Sequence, residues 1–267
     1  MTPTLARRTG AIALITATAA ALAGCGAGVG ARLTYDDTEK VKVSEIVLSG
    51  GSGNVTVATA PINETRIKRV VRTGGSADPQ ASYRLDGTVL SIDTRCGEHC
   101  NVSYEIQAPT GVRVHGKLGS GDISLTEVGT AEITVGSGNV EVDRATGAVS
   151  VKSGSGDITV TDLHGATTLV ASSGNVEAHG LAGGAAVRAQ ASSGDVEVEL
   201  AEADPVTART GSGNVELVVP DGAYQVKTHT GSGDTELIGV ANDPSAKTLL
   251  DVQTGSGDVT ITTIPGA

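Results

Sequence analysis

The chain contains no Phe and no Trp, only four Tyr and a single Met. Large aromatic side chains dominate the cores of most globular proteins, so a thick aromatic core is excluded for this chain. Val, Ile, Leu, Ala and Thr must fill the interior instead. Small branched side chains of this kind favour strands, and they suit a thin, regular interior.

Positive charge is also scarce. The 267 residues include 19 Lys and Arg against 30 Asp and Glu, which gives a formal net charge of -11. An acidic protein of this kind repels nucleic acid and anionic lipid, so we expect no nucleic-acid partner. The acids alternate with Thr and Ser rather than forming a block, which argues against a disordered acidic tail.

No apolar run in the sequence is long enough to span a bilayer. Residues 11–22 are apolar, follow Arg7 and Arg8, and have the length of the hydrophobic region of a signal peptide. They end at Leu22-Ala23-Gly24-Cys25, which resembles a bacterial lipobox.

The leader therefore predicts a membrane-anchored lipoprotein. Residues 1–24 are predicted to be its signal peptide, Cys25 the lipidated first residue of the mature chain, and residues 25–40 a flexible tether. An ordinary secretory signal cut after an alanine is the alternative. Both place the mature chain outside the cytoplasm, at the outer face of the cell membrane in the lipoprotein case.

Cysteine is limited to three residues. With Cys25 assigned to lipid, Cys96 and Cys100 remain, in the segment Cys-Gly-Glu-His-Cys. Outside the reducing cytosol, a disulfide between them is the first expectation. A zinc site that uses His99 is the alternative, although the other histidines stand singly.

Glycine, by contrast, is abundant, at 37 residues. Much of it belongs to one phrase, Ser-Gly followed by Asn or Asp and then by an aliphatic residue or Thr. From Gly121 onwards the successive glycines of this phrase are 17, 18, 18, 20, 19, 20 and 24 residues apart. Such self-similarity is typical of a stacked repeat architecture. Asn and Asp tolerate left-handed backbone, so we expect turns at Asn54, Asp122, Asn139, Asp157, Asn175, Asp195, Asn214, Asp234 and Asp258.

Each unit of the repeat has a strand, a turn, a second strand and a second turn. In the unit that begins at Gly138, Val140 and Val142 alternate with acids, and Val149 and Val151 alternate with Ser and Lys. Period-2 alternation with one apolar face predicts strands with one buried side. The same frame places further residues inward, namely Ile123, Leu125, Ile133, Val135, Ile158, Val160, Leu169, Ala171, Val176, Val196, Val198, Val215, Leu217, Val226, Leu237, Val252, Val259 and Ile261.

These patterns predict an all-β fold, a flat parallel β-solenoid of about 18–20 residues per unit. Residues 41–116 are expected to form an N-terminal β cap with the first coils, and residues 117–267 the repeat array. Inserts such as residues 240–245 should project from the edge opposite the Ser-Gly turns. Two alternatives stay open: a stack of antiparallel hairpins, and a solenoid with two units per coil.

Three features together resemble a bacterial family of β-strand-repeat proteins described as putative adhesins, a domain of unknown function. They are the segment GGSGNVTV at residues 50–57, the segment APTGVRV at residues 108–114, and the Ser-Gly repeats that follow. The resemblance covers the chain from about residue 40. It implies a β-solenoid-like fold and a location in the cell envelope, and it implies no catalytic residues.

The Asp, Ser and Glu residues of the repeat could in principle bind metal or catalyse a reaction, but a structural role explains each of them. Calcium β-rolls have Asp in glycine-rich turns, but in this chain Asn alternates with Asp, so we expect no metal and no cofactor. The serines of the repeat lack an accompanying His and are interpreted as turn residues. Glutamates recur after the turn, at Glu141, Glu177, Glu197 and Glu216, and regular recurrence favours a solvated face over a catalytic pair.

One strand of the cap is basic on one face, at Arg66, Lys68 and Arg72, with Val70 between them. A patch for an anionic polymer or head group is one interpretation, but a solvated face beside acidic neighbours is favoured. Taken together, the sequence predicts a non-enzymatic, lipid-anchored surface protein, an adhesin or envelope-binding scaffold, with the membrane and an unknown envelope ligand as partners. The alternatives are a sensory accessory module of envelope-stress signalling and a polysaccharide-active enzyme.

Overall fold

Two β-sheets make up the structure. The computed structural model describes residues 31–74 and 82–264. Within those ranges there is no helix, and therefore none that could cross a membrane. The described strands lie in sheet A, which has twelve strands, or in sheet B, which has eleven.

Strands are numbered along the chain, and the spatial order within each sheet runs from the N-terminal end of the stack. Sheet A contains β1 (Ala31–Glu39), β4 (Thr65–Thr73), β7 (Cys100–Pro109), β3 (Val55–Ala60), β9 (Ile123–Thr126), β11 (Val140–Asp143), β13 (Ile158–Thr161), β15 (Val176–Leu181), β17 (Val196–Leu200), β19 (Val215–Pro220), β23 (Val259–Ile264) and β21 (Thr235–Ile238). Sheet B contains β5 (Tyr83–Asp86), β6 (Val89–Asp93), β2 (Glu45–Ser49), β8 (Arg113–Ser120), β10 (Thr130–Ser137), β12 (Val149–Ser155), β14 (Thr167–Ser173), β16 (Val187–Ser193), β18 (Val206–Ser212), β22 (Thr248–Ser256) and β20 (Tyr224–Ser232).

Each Ser-Gly repeat forms one coil, with one strand in sheet B and the next in sheet A. β10 pairs in parallel with β8 and β12, and β11 pairs in parallel with β9 and β13. Every coil of the array is therefore hydrogen-bonded to its neighbours in both sheets. The predicted β-solenoid is confirmed with one unit per coil, and the hairpin stack and the two-unit coil are wrong.

The core is a single, mostly aliphatic layer between the two sheets, which pack about 10 Å apart in such folds. It also includes the buried rings of Tyr104 and Tyr224. The residues predicted to point inward are buried, and Leu125, Val142 and Val160 have no exposed surface. Leu237 is the exception, since 39% of its surface is exposed. Its predicted burial is wrong because β21 is the last strand of sheet A, with no described coil beyond it.

The order of the coils departs from the order of the chain at the C-terminal end. The coil of β22 and β23 lies between the coil of β18 and β19 and that of β20 and β21. The inserted coil presents Val252 and Val259 to the core, and both are fully buried, whereas the end coil has Thr228 and Thr235 at the positions paired with them. Because burial of apolar surface is favourable and polar side chains tolerate an open end, this order is the more stable one.

The N-terminal end is closed by strands that break the parallel pattern. The coil of β6 and β7 lies outside the coil of β2 and β3. Beyond it, β4 and then β1 pair antiparallel in sheet A, and β5 pairs antiparallel in sheet B. An atypical end of this kind covers the edge of the repeat stack.

β1 corrects the predicted tether, because Ala31–Glu39 form a strand that pairs with β4 along its whole length. Asp37 lies on the half-buried face of β1 and breaks the apolar alternation that would have revealed the strand. Arg69 of β4 compensates it with an ion pair of 2.8 Å. The Arg69 guanidinium also lies 4.9 Å from the ring centre of Tyr35 and 5.0 Å from that of Tyr83, so it closes this end between the sheets.

The insert at residues 239–247 folds back over β20 instead of projecting. The backbone N–H of Asp243 donates to the carbonyl oxygen of Tyr224 at 2.8 Å, and the N–H of Val226 donates to Oδ1 of Asn242 at 2.9 Å. These bonds satisfy part of the free edge of the end strand. The predicted projection of residues 240–245 is therefore wrong.

Candidate functional site

A ladder of nine Asn and Asp side chains runs along the Ser-Gly edge. Oδ1 of every rung except the last, Asp234, accepts a hydrogen bond from the backbone N–H of the equivalent residue in the next coil, at 2.7–3.1 Å. In spatial order the rungs are Asn54, Asp122, Asn139, Asp157, Asn175, Asp195, Asn214, Asp258 and Asp234. Beyond Asn54, Ser103 takes the equivalent position and its Oγ accepts the N–H of Asn54 at 3.2 Å. The structure thus brings all nine predicted turn residues together.

Amide and carboxylate rungs alternate along the ladder up to its last step. Asp122, Asp157 and Asp195 each lie between two Asn rungs. Carboxylates on neighbouring coils would be ~4.8 Å apart and would repel by ~1 kcal/mol in water. An Asn between them doubles the separation to ~9.6 Å, near the Debye length. Every rung therefore supplies an acceptor, while the negative charge is diluted.

The glycine before each rung is required by close backbone contact. Its φ lies between +113° and +140° in the eight repeats from Gly121 onwards, a region that L-residues rarely adopt. A Cβ atom at Gly174 would also overlap the carbonyl oxygen of Gly156 in the neighbouring coil. The Ser-Gly turns are thus fixed by stereochemistry, which agrees with their interpretation as turn residues.

The outer face of sheet A is acidic along the array. Its array strands carry outward acids and no Lys or Arg; the acids are Glu141, Asp143, Glu177, Glu197, Glu199, Glu216 and Glu236. Glu177, Glu197 and Glu216 lie side by side on three adjacent strands. Like charges in this arrangement are destabilising. We call this surface the acidic face.

The outer face of sheet B carries an excess of positive charge from β2 to β20. Its outward bases are Arg113, Lys117, Lys152, Arg188, Arg209 and Lys227, and its outward acids are Glu45, Glu132 and Asp251. Each acid contacts a base of the same face: Glu45 with His115 at 2.7 Å, Glu132 with Arg113 at 3.3 Å and Asp251 with Arg209 at 2.6 Å. Lys117, Lys152, Arg188 and Lys227 form no ion pair with a described residue. We call this surface the basic face.

The basic strand of the cap is largely neutralised. Arg66 pairs with Glu64 at 2.7 Å and Lys68 with Glu105 at 2.9 Å. These pairs border an open groove of about 540 Å³. The arrangement agrees with a solvated strand face beside acidic neighbours rather than with a patch for an anion.

Cys96 and Cys100 are joined in the connection between β6 and β7, with their Cα atoms 5.3 Å apart. That separation lies in the usual range for a disulfide. Across residues 31–74 and 82–264, no three His, Cys, Asp or Glu side chains are grouped so that they could hold a metal ion. The structure therefore shows the pair expected from the sequence, while its oxidation in the cell stays a prediction.

Two carboxylates that sequence reasoning missed hold the loop at Gly183–Ala185. Glu202 accepts the N–H of Gly183 at 3.0 Å, and Asp204 accepts bonds from the backbone of Gly184 and Ala185. Asp204 is 2% exposed, and its Oδ2 has no hydrogen-bond partner among the described residues. Burial, together with the nearby Glu202, raises the pKa of the Asp204 carboxyl. No sequence signal marks Asp204, because the loop it holds belongs to the neighbouring coil.

The family of this chain is shown by its match to a known family model. The model of the Toastrack DUF4097 family matches residues 18–262. The chain belongs to the Toastrack DUF4097 family. A comparison of this Toastrack chain with curated proteins finds no match.

Three solved structures are similar to this Toastrack chain at low sequence identity. A protein described as a putative adhesin from Bacteroides fragilis has a TM-score of 0.52 and 19% identity, over 86% of this chain and 97% of that one. A putative adhesin from Parabacteroides merdae has a TM-score of 0.41 and 12% identity, over 86% and 96% of the two chains. A putative cell adhesion protein from Clostridium sporogenes has a TM-score of 0.31 and 12% identity, over 86% and 100%. The Bacteroides fragilis structure supports the fold. The family that the sequence resembles is confirmed by the family model.

The predicted leader of this Toastrack chain and its predicted lipidation site, Cys25, lie outside the described residues. Among the described residues, the predicted turn residues form one ladder, and the recurring glutamates form one row on the acidic face. The opposite charge of the two faces was not predicted. It depends on which strand neighbours which, and on the sheet to which each strand belongs.

Proposed function

We propose that this Toastrack protein is a non-enzymatic, lipid-anchored protein of the cell surface, an adhesin or a scaffold that binds envelope components through its sheet faces. The observation that carries the proposal is the pair of long outer faces with polar side chains at regular strand spacing. The repeated glutamates share one row and similar surroundings, whereas an acid and a base in catalysis need distinct ones. The lipobox-like leader and the adhesin description of the Bacteroides fragilis protein agree with this role.

The anchor is tested in cells that express the full chain. Radiolabelled palmitate should enter the wild type and should not enter Cys25→Ser, and protease added to intact cells should degrade the wild type. Equal labelling of both chains would show that Cys25 is not the lipidated residue. A protected protein would show that the chain is not at the surface.

The binding role is tested by photo-cross-linking on intact cells. A cross-linking residue at Thr159 of the acidic face or at Thr168 of the basic face should capture envelope components. The matched control at Thr146, which is exposed at the opposite edge, should capture far fewer. Equal capture from all three positions would argue against binding by the faces, and turnover of wall polysaccharide by the purified chain would overturn the non-enzymatic assignment.

A further inference from the structure

The two outer faces of the solenoid have opposite charge and the same geometry. Both sheets are built from the same coils, so their strands have the same spacing of ~4.8 Å. Rows of side chains on the acidic face of one molecule therefore match in period the rows on the basic face of another. A period shared over the length of the array lets many charges come into register together.

Unpaired charges on both faces would be compensated in such a contact. Glu177, Glu197 and Glu216 lie next to each other without a cation among the described residues. On the basic face, Lys117 and Lys152 lie on one row, two strands apart, and that row contains no carboxylate from β8 to β20. An opposing face of the other sign removes the repulsion on each side.

We infer that the acidic face of one copy docks on the basic face of a neighbouring copy of the same chain. Such a contact joins two different surfaces, so it leaves one face of each sign free at the ends and propagates into an open layer. The inference rests on the proposed role of the faces as binding surfaces, and it names the partner as a second copy. It does not depend on the lipid anchor.

The area of the contact predicts its strength. Eight strands at ~4.8 Å and about four residues at ~3.3 Å give a face of roughly 500 Å². About 1,000 Å² would then be buried in total, at the low end for specific protein contacts. Because the attraction is between solvated charges, we expect weak association that salt suppresses. Molecules held together on one surface would associate more readily than molecules in dilute solution.

The experiment is sedimentation velocity of the full chain in a density-matched non-ionic detergent, over a range of protein concentrations. At about 20 mM salt, the weight-average mass of the wild type should rise at least about twofold with concentration, and at about 500 mM salt it should return to the monomer value. The acidic-face variant carries Glu141→Lys, Glu177→Lys, Glu197→Lys and Glu216→Lys. The basic-face variant carries Lys117→Glu, Lys152→Glu and Lys227→Glu.

Each variant alone should stay monomeric, since its two faces then have the same sign. An equimolar mixture of the two variants should associate. Both faces of the acidic-face variant are then positive, and both faces of the basic-face variant are negative, so the two variants attract each other. The matched control, Lys40→Glu with Lys42→Glu and Lys247→Glu, changes the net charge as much as the basic-face variant, at exposed positions away from both faces. It should associate like the wild type. If a charge-reversal variant does not fold, as judged by its circular dichroism and melting, Glu177→Gln with Glu197→Gln and Glu216→Gln replaces it and should weaken association.

Four results would overturn the inference. The wild type could be monomeric at low salt, or both face variants could associate as the wild type does. The mixture of the two variants could fail to associate, or the control variant could be as monomeric as the basic-face variant. Binding of the monomeric wild type to anionic vesicles, lost only in the basic-face variant, would identify a membrane as the occupant of that face instead. Because these outcomes are measured on purified protein, they are distinct from failure of the surface location or of envelope binding in cells.

Discussion

Oδ1 of Asp258 accepts a hydrogen bond from the backbone N–H of Asp234 at 2.8 Å, although Asp234 comes 24 residues earlier in the chain. Asp258 in turn donates its own N–H to Asn214 at 3.0 Å. The last repeat of the sequence is thus the second-to-last coil of the solenoid. This one contact reports both the exchanged order of the coils and the only place in the ladder where two carboxylates are neighbours.

The first prediction concerns the charge of the ladder. Changing Asn139, Asn175 and Asn214 together to Asp should lower the urea midpoint at low salt, because each new pair of neighbouring carboxylates costs about 1 kcal/mol in water. Salt or mild acid should restore part of the loss. The converse change of Asp122, Asp157 and Asp195 to Asn keeps each acceptor and should leave the midpoint unchanged or slightly higher. An unchanged midpoint of the Asp variant at low salt would contradict the ladder model.

The second prediction concerns the glycine column. Gly174→Ala should lower the free energy of unfolding by at least ~1–3 kcal/mol, because its φ is +140° and the new methyl group overlaps the next coil. Gly184→Ala is the control, since its φ is +69° and its Cβ would meet no atom within 4 Å. Denaturant titration of both variants measures the difference. A larger loss in Gly184→Ala than in Gly174→Ala would refute the steric explanation.

The third prediction tests the exchanged coils. Ile261→Ala should cost ~2–5 kcal/mol, because Ile261 is fully buried in the inserted coil. Leu237→Ala should cost about 1 kcal/mol or less, because the side chain is 39% exposed on the end coil. If the coils followed the order of the chain, the two costs would be reversed, so urea midpoints of the two variants decide between the arrangements.

The fourth prediction concerns Cys96 and Cys100. Their disulfide closes a short loop, so we expect its contribution to stability at the low end of ~2–4 kcal/mol. In a Cys25→Ser background only these two thiols can react, and alkylation of the denatured chain should modify neither before reduction and both after it. Two modified cysteines without reductant would show that the pair is reduced.

The fifth prediction concerns Asp204, whose pKa is raised in the folded protein. Between the unfolded value of about 3.9 and the raised folded value, the folded state binds more protons than the unfolded state. Stability contributed by Asp204 should therefore fall as the pH rises through this window. Asp204→Asn keeps an acceptor for the loop and should flatten this dependence in urea titrations between about pH 3 and pH 6.

Asp243 is the matched comparison for Asp204. The hydroxyl and the N–H of Ser245 lower the pKa of the Asp243 carboxyl. Its contribution is therefore present above the unfolded pKa and is lost as the pH falls through the lower, folded value. Asp243→Asn should change the pH dependence in the opposite sense to Asp204→Asn. The same change in both variants would show that the effect does not come from these carboxyls.

Much of the fold can be predicted from local patterns. The alternation around Val140 and Val142 predicts two strands with one buried side, and the spacing of the Ser-Gly turns predicts their repeat. β1 could not be predicted in this way, because its half-buried Asp37 is stabilised by Arg69, which lies 32 residues further along the chain. Asp204 was missed for a similar reason, since its partners lie in a neighbouring loop.

The sequence by itself determined the all-β class, the length of a coil, the inward residues of the array and the turn residues of the ladder. These follow from the period of two in a strand and from the left-handed backbone that Gly allows in each turn, which are local properties. Only the tertiary structure decided that coils exchange places at both ends, and that the acidic and basic residues separate onto opposite faces. The neighbour of each coil is chosen by the apolar surface that the whole stack can bury, and no short stretch of the chain contains that information.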